Sequence, residues 1–227
     1  MAHDDNFMPR DISAAEIYYK ILHYTKLAHS ATSDKEKTAF LEEKRKLYRA
    51  ITVTNVIFSF YDNGKVESEE WHNDAGEVSR ADGPAVVYYE INGLSKLEGW
   101  YIDGNEHRLD GPAMITYYTR EDNIALHAIK QETWFFNGKV HRGDDEPAFC
   151  GYFEDGSINV KRWFVRGQLH RVDGPAIVVY YDNGKVSYQA WYQHGEIHHD
   201  DGPAFVKYDV FGEVAEKTWY NHGVPLS

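Results

Sequence analysis

Trp163 to Ala176 reads WFVRGQLHRVDGPA, and the fold follows from how often the chain repeats that phrase. Trp100 to Ala113 gives WYIDGNEHRLDGPA, and Trp191 to Ala204 gives WYQHGEIHHDDGPA. Trp71 to Ala85 (WHNDAGEVSRADGPA) and Trp134 to Ala148 (WFFNGKVHRGDDEPA) carry it with one extra residue each. Trp219 opens a sixth copy, WYNHGVPLS. Self-similarity at a near-fixed period is the signature of a repeat array, in which each unit contacts mainly its neighbours. It speaks to architecture far more than to activity.

Between copies run strand-like segments. The hexapeptide YDNGKV stands at Tyr61–Val66 and again at Tyr181–Val186, so a half-unit precedes the first Trp and the β region begins near Thr52. Asn-Gly between such runs predicts a type I′ hairpin turn, because both central residues there need positive φ. The DGPA corner joins an Asp that bonds nearby backbone, a permissive Gly and a Pro that fixes φ. Three reversals per unit would alternate the direction of equivalent strands, so the corner is expected to bend the chain rather than reverse it. In Lys185–Gln193, Val186, Tyr188, Ala190 and Tyr192 share one face, opposite Lys185, Ser187, Gln189 and Trp191. Glu213–Asn221 repeats the alternation. The expected row of Trp side chains runs along the array, with neighbours in contact.

Before this region, Ser13-Ala14-Ala15-Glu16 and Ser33-Asp34-Lys35-Glu36 match the capping box that starts a helix. Ile17, Ile21, Tyr24 and Ala28 form an apolar stripe behind the first; Phe40, Leu47 and Ile51 do so behind the second. The expected fold is therefore mainly β: an elongated antiparallel β-hairpin repeat array, as a single sheet or flat solenoid (residues 51–227). An N-terminal α-helical hairpin (residues 1–50) caps it, shielding the first sheet edge.

Charge narrows the partners. Net charge is −12, and residues 51–227 hold 15 basic against 28 acidic side chains. Such a surface repels phosphates and anionic headgroups, so neither nucleic acid nor membrane is expected as partner. No run is long and apolar enough for a bilayer span, and MAHDDNFMPRD lacks the order of a signal peptide. The single cysteine, Cys150, forms no internal disulfide, which points to a reducing cytoplasm. It lies in an apolar run without a basic activator and reads as buried and inert.

The units resemble the MORN-repeat variant, the hairpin repeat of YwqK-like proteins, with its WYxNGK core and regular Gly turns. The longer version ending in HRxDGPA resembles repeat proteins of bacteriophages and large DNA viruses. The likeness covers about 52–227. It implies stacked hairpins used as scaffold, adaptor or inhibitor surfaces, with no catalytic residues to carry over. Were the chain phage-encoded, a host factor in the host cytoplasm is the implied target.

His-Arg recurs as His107-Arg108, His141-Arg142 and His170-Arg171, with His198-His199 as a variant. Stacked, these form a ladder of imidazoles and guanidiniums able to bind an anion, a nucleotide or an acidic protein. The plainer reading pairs each Arg with its corner Asp, Arg108 with Asp110 and Arg171 with Asp173, as a structural staple. Repetition in every unit favours the staple. His198-His199-Asp200-Asp201 holds ligand types, but neighbours on a strand point to opposite faces, so no metal site and no cofactor is expected. The Trp row also resembles the aromatic sugar or choline slots of cell-wall binding repeats, which makes a small-ligand binder for nucleotide or glycan the alternative. No nucleophile–base set or phosphate loop stands out, so no enzyme is expected.

Trp spacings of 29, 34, 29, 28 and 28 single out the third unit. There Thr119–Ala128 (TREDNIALHA) replaces a Gly turn, bringing Arg120, Glu121, Asp122 and Asn123, and the corner becomes Gly143–Pro147 (GDDEP). Protein-partner contacts are expected on this connection and on the His141-Arg142 rung. The C-terminal sheet edge is a route to homo-oligomers.

Overall fold

The computed structural model describes residues 23–24, 27, 32–33, 35–40, 42–43, 55–119 and 127–226. β1 (Val56–Phe60) and β2 (Val66–Trp71) form the leading half-unit. β3 (Val86–Tyr89) and β4 (Ser95–Gly99) pair next, followed by a short ribbon of β5 (Tyr101–Ile102) and β6 (Asn105–Glu106). The order then repeats with β7 (Met114–Tyr117), β8 (Ile129–Thr133), β9 (Phe135–Phe136) and β10 (Lys139–Val140). β11 (Phe149–Tyr152), β12 (Ile158–Arg162), β13 (Phe164–Val165) and β14 (Gln168–Leu169) form the following unit. After it come β15 (Ile177–Tyr180), β16 (Val186–Ala190), β17 (Tyr192–Gln193) and β18 (Glu196–Ile197). β19 (Phe205–Tyr208), β20 (Val214–Asn221) and β21 (Val224–Leu226) close the array.

Thirteen strands make one antiparallel sheet in the order β1-β2-β3-β4-β7-β8-β11-β12-β15-β16-β19-β20-β21. At about 4.8 Å per strand this is a ribbon of sheet nearly 60 Å long. β4 and β7 are antiparallel neighbours, and the β5–β6 ribbon between them supplies the single reversal. The DGPA corner thus returns the chain to the sheet without reversing it, as expected.

Two turn types alternate, and the assignment at Asn-Gly needs correction. At Tyr61–Lys65 only Gly64 has positive φ, and the register shifts between Ser59 and Phe60. That is a three-residue loop closed by a glycine bulge rather than a type I′ turn. The paired positive φ values fall instead in the ribbons after each Trp, at Asp103/Gly104, Asn137/Gly138, Arg166/Gly167, His194/Gly195 and His222/Gly223. The loop after Trp71 takes the glycine-bulge form, with Gly76 alone positive, which accounts for its extra residue.

The YDNGKV hexapeptide has its own duty. Tyr61 and Tyr181 donate through their hydroxyls to the carbonyls of Tyr89 and Tyr208, at 2.7 and 2.8 Å. Lys65 and Lys185 donate to the carbonyls of Ile91 and Phe211, at 2.6 and 2.7 Å. Both side chains reach one unit ahead, so each turn is fastened to the next.

The core of this one-layer sheet lies on the Trp face. Ala85, Ala113, Ala148, Ala176 and Ala204 are fully buried, and each accepts at its carbonyl from a Trp backbone N–H at 2.7–2.9 Å. The row therefore runs Trp–Ala–Trp, which sets successive indoles two strand spacings apart, roughly 9–10 Å. The expected contact between neighbouring Trp side chains is absent among the described residues, because a short residue must alternate with a long one. The next row alternates likewise: Val87, Cys150, Val178 and Val206 are buried between longer neighbours such as Glu98, Lys161 and Gln189. Burial raises the Cys150 thiol pKa, which keeps it protonated and unreactive.

At the N-terminus, residues 35–40, 42 and 43 are helical, as are 23, 24 and 27. Ser33 Oγ accepts the Glu36 backbone N–H at 3.3 Å, the first half of the capping box. The Glu36 carboxylate reaches back to the Thr32 hydroxyl at 3.2 Å rather than to Ser33 N–H. The Tyr24 and Phe40 rings lie 6.5 Å apart. The capping box at Ser13–Glu16, and any packing of this segment that would shield β1, lie outside the described residues. Among the described residues no helix is long and apolar enough to cross a membrane.

Candidate functional site

Four of the six Trp are roofed by the Arg of their own unit. The guanidinium carbons of Arg80, Arg108, Arg142 and Arg171 sit 4.0–4.1 Å above the rings of Trp71, Trp100, Trp134 and Trp163. In the unit of Trp191 the His199 ring takes that place, 5.0 Å away and nearly parallel. Such stacking is worth about 0.5–2 kcal/mol, more as the cation is desolvated. Each Arg also donates from Nη1 to the carbonyl of its corner Pro, at 3.3 Å for Pro84, Pro112 and Pro147 and 3.5 Å for Pro175.

The remaining edge of the guanidinium takes a carboxylate. Arg80 Nε meets Asp82 and Arg108 Nε meets Asp110, both at 2.8 Å. Hydrogen bonds from these arginines hold both Asp carboxyls below their usual pKa. The corner Gly makes this geometry possible. A Cβ at Gly83, Gly111 or Gly174 would lie 2.9–3.1 Å from its own unit's guanidinium.

The third unit breaks the pattern. Glu146 stands before Pro147, where the other corners have Gly, and the corner is one residue longer. Asp144 and Asp145 both take positive φ, and Glu146 N–H closes on the Gly143 carbonyl at 3.1 Å. Asp145 is thereby carried to the next rung. Its carboxylate forks with Arg171 (Nη2–Oδ2 2.7 Å, Nε–Oδ1 2.9 Å), and its carbonyl accepts the Trp163 indole N–H at 2.8 Å. The expected pairing of Arg171 with Asp173 is thus overturned; that of Arg108 with Asp110 holds. Among the described residues Arg142 has no carboxylate within ion-pair distance, unlike Arg80, Arg108 and Arg171. His141, Arg142, Asp144, Asp145, Glu146, Trp163, Arg171 and Asp173 border an open cleft of about 300 Å³ between the two corners.

The histidines fasten ribbon to ribbon. Gly N–H groups of each ribbon turn donate to the preceding unit at 2.8–3.0 Å, as in Gly138 to Glu106 and Gly195 to Leu169. Beside them, Nδ1 of His107, His170 and His198 accepts the backbone N–H of Asn137, His194 and His222 at 3.2–3.3 Å. Accepting at Nδ1 requires it to be unprotonated there. His141 Nδ1 is buried with no hydrogen-bond partner, so the third rung lacks this staple too. His198 Nε2 lies 2.9 Å from Asp200, and no cluster among the described residues is arranged to hold a metal ion.

Arg120, Glu121, Asp122 and Asn123 lie outside the described residues. The end of their connection is tied down, with His127 stacked on Tyr117 at 3.9 Å and within 2.9 Å of the Ser95 hydroxyl. Of the twelve side chains singled out from the sequence, the structure puts His141 and Arg142 beside His170 and Arg171 on one cleft; His107, Arg108, His198 and His199 belong to separate rungs. Asp145 and Trp163 were missed. The signal that marks them is the Glu at the corner's Gly position. Comparison with protein families, curated proteins and solved structures found no match for the chain.

Proposed function

We propose that the chain is a non-catalytic protein-interaction module, a MORN-variant-like β-repeat scaffold whose partner seats at the third unit. One observation carries this reading. The regular Trp-Arg-Asp rungs at Trp71 and Trp100 satisfy their own charges, whereas the third sends its carboxylate away to Arg171. A repeat that leaves its own rule at one place marks a surface shaped for something other than packing.

The acidic balance of the β region favours a protein over nucleic acid or an anionic membrane. The glycan alternative is weakened because one face of each of the first four indoles, where a sugar would stack, is covered by Arg. Inhibition of a host factor, were the chain phage-encoded, follows from the family resemblance alone. The test is to replace Thr119–Ala128 with the Gly-turn connection Tyr181–Val186 and measure folding and partner binding separately. Loss of binding with stability retained is expected; unchanged binding and stability would make the connection a neutral insertion.

A further inference from the structure

Resting on that reading, we propose that Arg142 is a vacant carboxylate seat and that the partner fills it with an acidic side chain or a chain-terminal carboxylate. The molecule itself displays the occupied form of this seat. In three rungs the guanidinium lies flat on Trp, gives Nη1 to the Pro carbonyl and gives its Nε edge to an Asp carboxylate, Arg80 to Asp82, Arg108 to Asp110 and Arg171 to Asp145. Arg142 retains the first two contacts, 4.0 Å over Trp134 and 3.3 Å from the Pro147 carbonyl. Only the third contact has no carboxylate among the described residues.

The vacancy follows from covalent structure. A Cβ before the corner Pro would press within 2.9–3.1 Å of the guanidinium in regular units; the corner that holds Glu146 is one residue longer, and it carries Asp145 to Arg171. The guanidinium is already positioned by stacking, so a bidentate carboxylate binds with little further loss of side-chain freedom. The surroundings set a limit on the ligand. Asp144, Glu146 and Asp173 border the same cleft, and Asp173 has no cation at ion-pair distance among the described residues because its own Arg171 is taken. A bare carboxylate such as acetate is therefore held only weakly, and the favoured ligand is a protein segment bringing a carboxylate to Arg142 and a basic side chain to Asp173.

The test uses the full chain with ¹⁵N-labelled arginine. Its Nε–H resonances are followed while acetate replaces chloride at constant ionic strength. Two peptides are then titrated. One has an internal Glu-Gly-Lys and blocked ends; the other is free of acidic side chains and has a free C-terminus. The Arg142 signal is expected to shift saturably with acetate, and several-fold more than Arg80, Arg108 and Arg171, which are already paired. The peptide that saturates it at lower concentration identifies the carboxylate source. Replacing Gly143–Pro147 with Val-Asp-Gly-Pro should silence the response by giving Arg142 its own Asp. A response at Arg142 no larger than at the paired arginines overturns the proposal, with or without a folded graft. Selective acetate binding together with an unchanged partner after the Thr119–Ala128 swap would keep the carboxylate seat and remove the connection from the interface.

Discussion

Arg171 grips Asp145, twenty-six residues back along the chain, at 2.7 Å and not Asp173 two residues ahead. This fork ties the third unit to the fourth through a side chain that elsewhere serves its own unit. It also buries Trp163, the least exposed of the six tryptophans at 8%. Two irregularities in the sequence, an added residue and a Glu for Gly, thus have one structural consequence spread across two rungs.

Trp163→Ala removes an indole that lies under the Arg171 guanidinium and donates to the Asp145 carbonyl. A loss on the order of 3–5 kcal/mol is expected in urea unfolding. Trp219, at 45% exposure, should cost about 1 kcal/mol or less when replaced by Ala. Equal losses at the two positions would contradict the burial described.

Gly111→Ala and Gly143→Ala form a matched pair. The first sets a Cβ 2.9 Å from the Arg108 guanidinium, while the second meets nothing within 4 Å. Gly111→Ala should destabilise by about 1–3 kcal/mol as Arg108 is pushed off Trp100. Gly143→Ala should stay within about 0.5 kcal/mol of the parent. Melting the two variants side by side checks the ordering.

Within a regular rung, Arg108 matters more than Asp110. Arg108→Ala loses the stack on Trp100 and the bond to Pro112, and should cost on the order of 1–3 kcal/mol. Asp110 is solvent-exposed at the far side of that ion pair, and Asp110→Ala should be close to neutral. Arg108→Lys should recover only part of the loss, since Lys has no planar fork. A reversed order of Arg108 and Asp110 would mean the ion pair, not the stack, holds the corner.

How much of this was legible beforehand depends on how local the cause is. The repeat phrase displayed the array, the Trp register and the bending corner because each follows from residues within one unit. The buried, inert Cys150 was legible for the same reason. The turn at Tyr61–Lys65 was misread because Asn-Gly signals a type I′ turn only when two residues, not three, close the loop. Arg171–Asp145 was hidden because i, i+2 spacing offered a nearer partner. The imidazole staples were hidden too, since their backbone donors lie 24 to 30 residues away.

Acid should loosen the ribbons. Burial, and then the charge of His194, lowers the His170 pKa below the usual histidine value of about 6.5. The unfolded chain therefore takes up this proton first as pH falls, so the stability present above about pH 6.5 declines through that value and is fully lost below the folded pKa. An imidazolium at His170 also cannot accept the His194 N–H. His170→Asn, which keeps an acceptor but does not titrate, should flatten stability between about pH 7 and 5. An unchanged pH profile would assign the acid sensitivity to other groups.

The most direct measurement of the interaction account replaces Gly143–Pro147 with Val-Asp-Gly-Pro and compares quantitative capture from the native host by the parent and grafted chains. A third chain, Asp82→Ala/Asp110→Ala, serves as a control that, like the graft, loses two negative charges, here at regular rungs. The account predicts that the graft is at least as stable as the parent and loses a partner that both the parent and the control retain. Retention of every captured protein by a stable graft would contradict it.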